Sequence, residues 1–426
     1  MPDFIISLDH SEAVRTDEVG GKAANLARLA RAGLPTPGGF VLTATAYRHQ
    51  LHYLGVGDEV SAYEAADFSA RLRLSVQVRL ALYQGSIAPA IVEPLIDAWR
   101  AQRAAVPLGA VRSSALVEDS QDASFAGQFE SFLGLSDEVE FLTAVRACWA
   151  ALWTSRARRY MEPHGLSPAR TAMAILIQPL IQAEAAGGGL SETAEGQMLV
   201  TAAWGLGSAL AQGEVVPDRI ALDRSGRVLS IDAGLKPQRD QCVHGLGFGA
   251  RPVQTSLACE ASISVEQAEA LGALLLKAET VCGGPVEIEW ALDEKGPKLL
   301  QARPLRVEPA PAPDQIWLQH PGLRGHPAGI GWGAGRSVVV RCECELARVA
   351  PGDILVTQVA GPALGSVLAR VGGVVTELGG STSHLASLAR ERGIPMVLGV
   401  LGATNKIPDG SQVAVDGVAG IVRWVN

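Results

Sequence analysis

The chain has 426 residues, enough for two or three domains, and carries 36 Lys and Arg against 44 Asp and Glu for a net charge of −8. No basic stripe runs along it, which excludes the usual footprint of a nucleic-acid partner. The N-terminus, "MPDFIISLDHSEAV", is too polar for a signal peptide, and no stretch approaches about 18 uninterrupted apolar residues, so a cytoplasmic protein without a membrane span is expected. Six cysteines, Cys148, Cys242, Cys259, Cys282, Cys342 and Cys344, lack zinc-ligand spacing and are expected to be reduced.

The first informative stretch is "VGGKAANLARLARAGLPTPGGF", from Val19 to Phe40. Gly20 and Gly21 precede Lys22, and Leu26 and Leu29 mark an amphipathic helix that ends at Gly33. A glycine turn, a lysine and a helix start together make a phosphate cradle. The spacing is not that of a P-loop, and a solvated lysine at a helix start remains open. Next comes "GAVRSSALVEDSQDASFAGQFESFLGL", from Gly109 to Leu135. It reads as two strands joined by a polar loop that could cover a nucleotide. Arg112 is the candidate for phosphate oxygens, because its planar fork binds them in pairs. An acid-rich surface hairpin is the alternative.

Small residues in "AEAAGGGLSETAEGQ", Ala183 to Gln197, suggest a flexible crossing between two halves of this region. "VEIEWALDEKGPKLLQARPL", Val286 to Leu305, reads as a hairpin. Alternation puts Glu287 and Glu289 on one face of the first strand and Gln301 and Arg303 on one face of the second. Hairpin pairing would gather the four, with oxygens suited to Mg²⁺ and an arginine suited to phosphates. A solvated hairpin face is the alternative.

"RPLRVEPAPAPDQIW", Arg303 to Trp317, is the sharpest composition shift, and its alternating Pro and Ala favour an extended, semi-rigid spacer. Beyond it, "RSVVVRC", "GDILVTQ", "GGVVTE", "PMVLGV" and "SQVAVDG" read as strands between glycine turns. Among them lies "VVTELGGSTSHLASLARERGIPMVLG". Leu385, Leu388 and Ala389 recur at helical spacing, Ser381, Thr382 and Ser383 are N-cap residues, and Gly393 with Pro395 ends the helix. His384 therefore falls in the first turn, among unpaired N–H groups and the positive end of the helix dipole. That setting favours a neutral, nucleophilic imidazole and stabilises a phosphoryl group once attached, and Gly379 and Gly380 let the backbone approach a phosphate. A histidine that only helps to cap a helix remains open.

Four stretches, "GGKAANLARLARAGLPTPGGFVLTATAYR", "AVRSSALVEDSQDASFAGQFESFL", "EIEWALDEKGPKLLQARP" and "GGSTSHLASLARERGIPMVLG", occur in an order that resembles the phosphoenolpyruvate synthase and pyruvate, phosphate dikinase superfamily, which includes rifampicin phosphotransferases. The resemblance implies an α/β (α+β) chain. An ATP-grasp domain would span 1–310 with two lobes breaking near 183–197. A Pro-rich linker would follow at 311–320, and a small β/β/α phosphohistidine swivel domain at 321–426. It implies ATP and Mg²⁺ as cofactors and His384 as the residue that takes a phosphoryl group from ATP, swings, and delivers it elsewhere. The ATP positions fall on Lys22, Arg112, Gly127, Ser131, Gln178, Leu180, Ile181, Glu287, Glu289, Gln301 and Arg303. The metal positions fall on Glu289 and Gln301, and the phosphohistidine loop on Gly379, Gly380, Thr382 and Ser383.

Two departures bear on activity. Where relatives have "GLGE", this chain has "WGLGSALAQGEVVPD", so Ser208 replaces a glutamate. By the same resemblance, the residues up to Asn426 are expected to hold the two domains above and not the pyruvate barrel or drug-binding domain of larger relatives. The expected activity is a dikinase-type transfer of the β-phosphoryl of ATP to an unidentified small-molecule acceptor, giving AMP and phosphate. The alternative is a phosphohistidine carrier or regulatory module acting on a separate acceptor protein.

Overall fold

The structure, a computed structural model, describes residues 3–425 apart from 119–124, 126, 244–246, 308–316, 318–319, 321, 360, 362–363 and 366. Most of the spacer expected at 311–320, and the hinge it would provide, lies outside the described residues. By internal contacts the chain divides into two units. One holds Met1–Ile181, Cys242–Phe248 and Leu299–Arg303, and the other Gln182–Gln241, Gly249–Lys298 and Pro304–Asn426.

The first unit is built on strands β1 (Ile5–Ser7), β2 (Phe40–Leu42), β3 (Gly109–Ala115), β4 (Ser131–Leu135) and β5 (Met173–Pro179), in the antiparallel order β1-β2-β5-β3-β4. The inner strand β5 reads "MAILIQP" and is buried throughout except at its last residue, as a strand covered on both faces must be. Helices cover the sheet, and Trp99 of one stacks on Phe141 of another with ring centres 4.2 Å apart. The helix Thr16–Arg31 breaks at Gly20, whose φ of 77° lies in the left-handed region. Lys22 thus stands at the start of its regular part, as the glycine pair predicted.

Next along the chain come β6 (Ala185–Leu190), β7 (Met198–Trp204), β8 (Asp218–Leu222), β9 (Val228–Asp232), β10 (Gln238–Val243), β11 (Gly247–Pro252), β12 (Val286–Asp293) and β13 (Gly296–Pro304); β6 to β9 and β12 lie in the second unit, while β10, β11 and β13 are divided between the two. One sheet runs β13-β12-β6-β7-β8-β9, and β10 pairs with β11. The stretch read from sequence as a flexible crossing is instead strand β6, well inside this sheet. Its glycines are there for close packing. A Cβ on Gly187 would meet the Thr201 carbonyl at 1.9 Å, and one on Gly189 would meet Leu275 of the helix Val265–Cys282 at 3.0 Å. That helix covers one face of the sheet. The other face presents Gly188, Leu190, Glu287 and Glu289.

The same unit continues with β14 (Gly322–Arg324), β15 (His326–Pro327), β16 (Trp332–Val340), β17 (Ile354–Thr357), β18 (Gly373–Thr376), β19 (Met396–Leu398), β20 (Gln412–Asp416) and β21 (Ile421–Val425). They form a sheet ordered β14-β21-β20-β16-β17-β18-β19-β15, in which β16 to β19 are mutually parallel. Its core is dominated by valines, Val339, Val356, Val375, Val397 and Val413 among them, as the β-branched runs predicted. The helix His384–Arg392 is the crossover between β18 and β19, so His384 sits beyond the carboxyl end of a parallel strand, a usual place for ligand chemistry.

The cysteine reading needs correction. Cys342 and Cys344 form a disulfide across a single intervening residue, on an exposed turn that brings their Cα atoms to 5.4 Å. Cys148, Cys259 and Cys282 are free, and burial pushes the Cys148 thiol pKa up. Among the described residues, no helix is long and apolar enough to cross a membrane.

Candidate functional site

His384 is the first residue of its helix. Ser383 caps it, accepting from the Ala386 amide at 3.3 Å, and Gly393 closes the far end with φ 69°. The cap and the stop are those the sequence predicted. Ahead of the helix, Gly379 has φ 100° and donates its amide to the Val215 carbonyl at 2.9 Å. Gly380 packs so closely on Pro217 that a Cβ would lie 2.3 Å from the proline Cγ. Ser381 and Ser383 are fully buried, while His384 is half-buried.

The loop and helix rest on the open face of the β12-β6-β7-β8 sheet. Register lines up Glu289, Gly188, Thr201 and Arg219 across four strands. Directly opposed residues of antiparallel strands share a face, so this row is one continuous strip. Thr382 sits on it: its Oγ1 is 2.5 Å from that of Thr201, and a Cβ on Gly188 would come within 2.4 Å of its own Cβ. One turn along the helix, Ser387 Oγ lies 3.0 and 3.2 Å from the two carboxylate oxygens of Glu287. Arg390 closes the contact with a 2.9 Å ion pair to Glu287.

The first unit gathers other expected residues. Lys22 is not a solvated lysine: it is buried, pairs with Glu118 at 2.9 Å and donates to the Ser113 carbonyl at 2.9 Å. Arg112 sits on β3 opposite Ser131 and donates to the Leu300 carbonyl at 2.9 Å and to Gln301 Oε1 at 3.2 Å. Gln301 and Arg303 are buried. Gln178, also buried, donates to the Gly38 carbonyl at 3.0 Å, and the Leu180 amide donates to the Leu108 carbonyl at 2.9 Å, leading to Ile181. Gly127 has φ 67° in the turn before β4. Arg112 and Gln301 are thus brought together, while Glu287 and Glu289 belong to the second unit.

A Mg²⁺ ion needs oxygen ligands and commonly takes only one or two from protein, the rest coming from phosphates and water. Glu289 in the second unit and Gln301 in the first each carry a side-chain oxygen of this kind. Among the described residues no group of three or more His, Cys, Asp or Glu side chains could hold a metal ion by themselves. Ser208 donates to the Asp240 carboxylate. A glutamate in its place would face that carboxylate, so the serine suits this neighbourhood. Burial, and then Asp240, raise the pKa of nearby Glu214.

Sequence reasoning passed over Arg390, Ser387, Thr201 and Gly188. The legible signals were an arginine inside an apolar helix pattern and a glycine run inside a strand pattern.

Residues 16–319 match the pyruvate phosphate dikinase AMP/ATP-binding domain, and residues 349–420 match the mobile domain of PEP-utilising enzymes. The phosphoenolpyruvate synthase of Aeropyrum pernix is 32% identical over 98% of this chain and 58% of its own length. That of Pseudomonas aeruginosa is 31% identical over 100% of this chain and 58% of its own. The probable phosphoenolpyruvate synthase of Methanothermobacter thermautotrophicus is 30% identical over 96% and 62%. The chain therefore spans about three-fifths of the length of the curated relatives it matches. It belongs to the phosphoenolpyruvate synthase and pyruvate phosphate dikinase family, whose members use ATP and Mg²⁺.

Proposed function

We propose that the chain is an ATP-dependent phosphotransferase of the dikinase type with His384 as the carrier. The imidazole attacks the β-phosphorus of ATP, the bond from that phosphorus to the oxygen bridging it to the α-phosphorus breaks, and AMP leaves. The γ-phosphoryl group goes to water as phosphate, and the phosphoryl group on His384 passes to a small acceptor. The name of the relatives directs the first trial acceptor to pyruvate.

The observation that carries this reading is the seat of the His384 loop on the strip containing Glu289. Family membership adds an AMP/ATP-binding domain in the same chain. Lys22, Arg112 and Arg303 are the cations proposed to offset polyphosphate charge, with Gly127 in the turn before β4 and Ser131 at the start of that strand. Gln178, Leu180 and Ile181 are proposed to receive adenine. Glu289 and Gln301 would hold Mg²⁺, which supplies further neutralisation of phosphoryl charge. The helix start at His384 favours a bound phosphoryl group through its dipole. Delivery requires the loop to leave its seat, and the matched mobile domain supports such a motion.

Incubation with β-labelled ATP and Mg²⁺ should leave an acid-labile, base-stable label on His384. His384→Ala should abolish the label while ATP still binds. Label persisting in that variant, or no AMP formed, would overturn the proposal. Sustained AMP release on adding pyruvate supports pyruvate as acceptor. One labelled turnover and no more would favour the carrier reading.

A further inference from the structure

We infer that Glu287 is the docking anchor of the His384 helix, and that Arg390 is a positioning residue that ties this anchor to the phosphohistidine loop. The inference deepens the proposed phosphotransfer and rests on it for its kinetic consequences.

The side chains of Arg390 and Glu287 are only 8% and 5% exposed. A buried charge without its partner is strongly unfavourable, so neither residue is a casual surface contact. The guanidinium works in two directions. One terminal nitrogen holds the Ser381 carbonyl at 2.6 Å and reaches the Ala328 carbonyl at 3.3 Å. The other meets Glu287 Oε2 at 2.9 Å and Ser387 Oγ at 3.2 Å. Ser381 lies in the loop immediately before His384. A planar, rigid fork transmits the position of one partner to the other. Seating Glu287 against Arg390 therefore sets the carbonyl that shapes the loop.

Other contacts of the seat include Thr382 on Thr201 and Gly188, Gly380 on Pro217, and the Gly379 amide on Val215, all neutral and small. The Glu287–Arg390 pair adds a buried charged contact, whose geometry fixes where along the strip the helix stands. Sequence pattern groups Glu287 with Glu289 as a nucleotide and metal pair, and the geometry separates their tasks. Glu287 accepts from Ser387 and pairs with Arg390, while Glu289, two residues on, lies on the strip with Gly188.

The test uses Glu287→Gln, Arg390→Gln and the double variant in the full chain. Three quantities are measured: the dissociation constant of Mg·ATP, the initial rate of His384 labelling at saturating ATP, and hydrogen exchange of the peptide containing Gly379. That amide is protected by the docked Val215 carbonyl, so its exchange reads docking without reference to activity. Glu287→Gln should cut the labelling rate about tenfold or more and speed Gly379 exchange by a similar factor. Mg·ATP affinity should stay within about twofold. The double variant should be no worse than the poorer single, the signature of a coupled pair. Ser387→Ala, which spares the guanidinium, should move labelling and exchange in the same direction by less and covers the case in which Arg390→Gln fails to fold. Weakened Mg·ATP binding with unchanged Gly379 exchange would overturn the inference and return Glu287 to the nucleotide site. Losses that multiply in the double variant would overturn it too. If the wild-type protein takes no label, the phosphotransfer reading falls, and the exchange measurement still decides the docking role.

Discussion

Two helix starts in this chain follow a glycine pair and present one chemically potent side chain, and they are held in opposite ways. At the first, Gly20 takes φ 77°, and a Cβ there would lie 2.0 Å from the Ser114 carbonyl oxygen, so backbone meets backbone. Lys22 is then locked by Glu118 and the Ser113 carbonyl, all within one unit. At the second, Gly379 and Gly380 lie against Val215 and Pro217, in the segment that leads into β8 of a different sheet, and His384 stays half-buried. Hydroxyls, a proline and the Arg390–Glu287 ion pair are among the contacts that hold this loop and helix. A cation that only has to oppose phosphate charge gains from being fixed in advance. If His384 is the carrier proposed above, it must leave its seat, and contacts between side chains and loop backbone are ones that motion could break with the strand ladders intact.

The strongest way to break the first arrangement is Lys22→Met. It strands the Glu118 carboxylate, which is buried with 4% side-chain exposure. Removing one partner of a buried pair costs about 3–5 kcal/mol. The urea midpoint should fall accordingly, and Lys22→Met with Glu118→Gln should recover much of the loss. A single-variant loss below about 1 kcal/mol would show that the pair behaves as an exposed one.

The contrast explains what could be read in advance. Ser383, Gly393 and Pro395 bounded the His384 helix because caps are local chemistry. The "VEIEW" alternation put Glu287 and Glu289 on one face because strand period is also local. Glu118 could not be foreseen as the partner of Lys22, nor Arg390 as the partner of Glu287, because each pair joins segments far apart in sequence. The strand β6 was misread for a related reason. Gly187, Gly188 and Gly189 have low strand preference, and only the closeness of Thr201, Thr382 and Leu275 makes bare backbone the right choice there. The Cys342–Cys344 disulfide was missed because compartment was judged from spacing, while a turn had brought the two residues together.

The second region carries a titratable group at its seam. His326 on β15 is buried with Nδ1 lacking a hydrogen-bond partner, and it lies against Gly399, which is also close to the Gly379 carbonyl and Val216. Burial, and then the Arg219 charge, lower its pKa from 6.5 to about 4. The folded pKa lies below the unfolded one, so the unfolded state binds more protons between these values. Stability is therefore full above pH 6.5 and is lost as pH falls toward about 4. The loss from this residue amounts to roughly 3 kcal/mol. Carboxylates also titrate in this range, so the readout is the difference between wild type and His326→Gln. The wild-type midpoint should drop more steeply with falling pH, and parallel slopes would remove His326 from the seam's electrostatics.

The smallest expected effect separates docking from folding. Gly188 has ordinary negative φ, so alanine there restricts the unfolded chain and would by itself stabilise strand β6 by about 0.4–1 kcal/mol. The added Cβ would also stand 2.4 Å from the Thr382 Cβ, an atom fixed to the loop backbone that no rotamer change can move. The loop as a whole must retreat, at a cost of about 1–3 kcal/mol for overpacking. The two terms act on different equilibria. Global unfolding, read by the urea midpoint, should shift by little. Seating of the loop should weaken, with faster exchange at the Gly379 amide and slower labelling of His384. If Gly188→Ala lowered the midpoint as far as Lys22→Met and left Gly379 exchange unchanged, the seat would be part of the folded core, and the contrast between the two helix starts would fail.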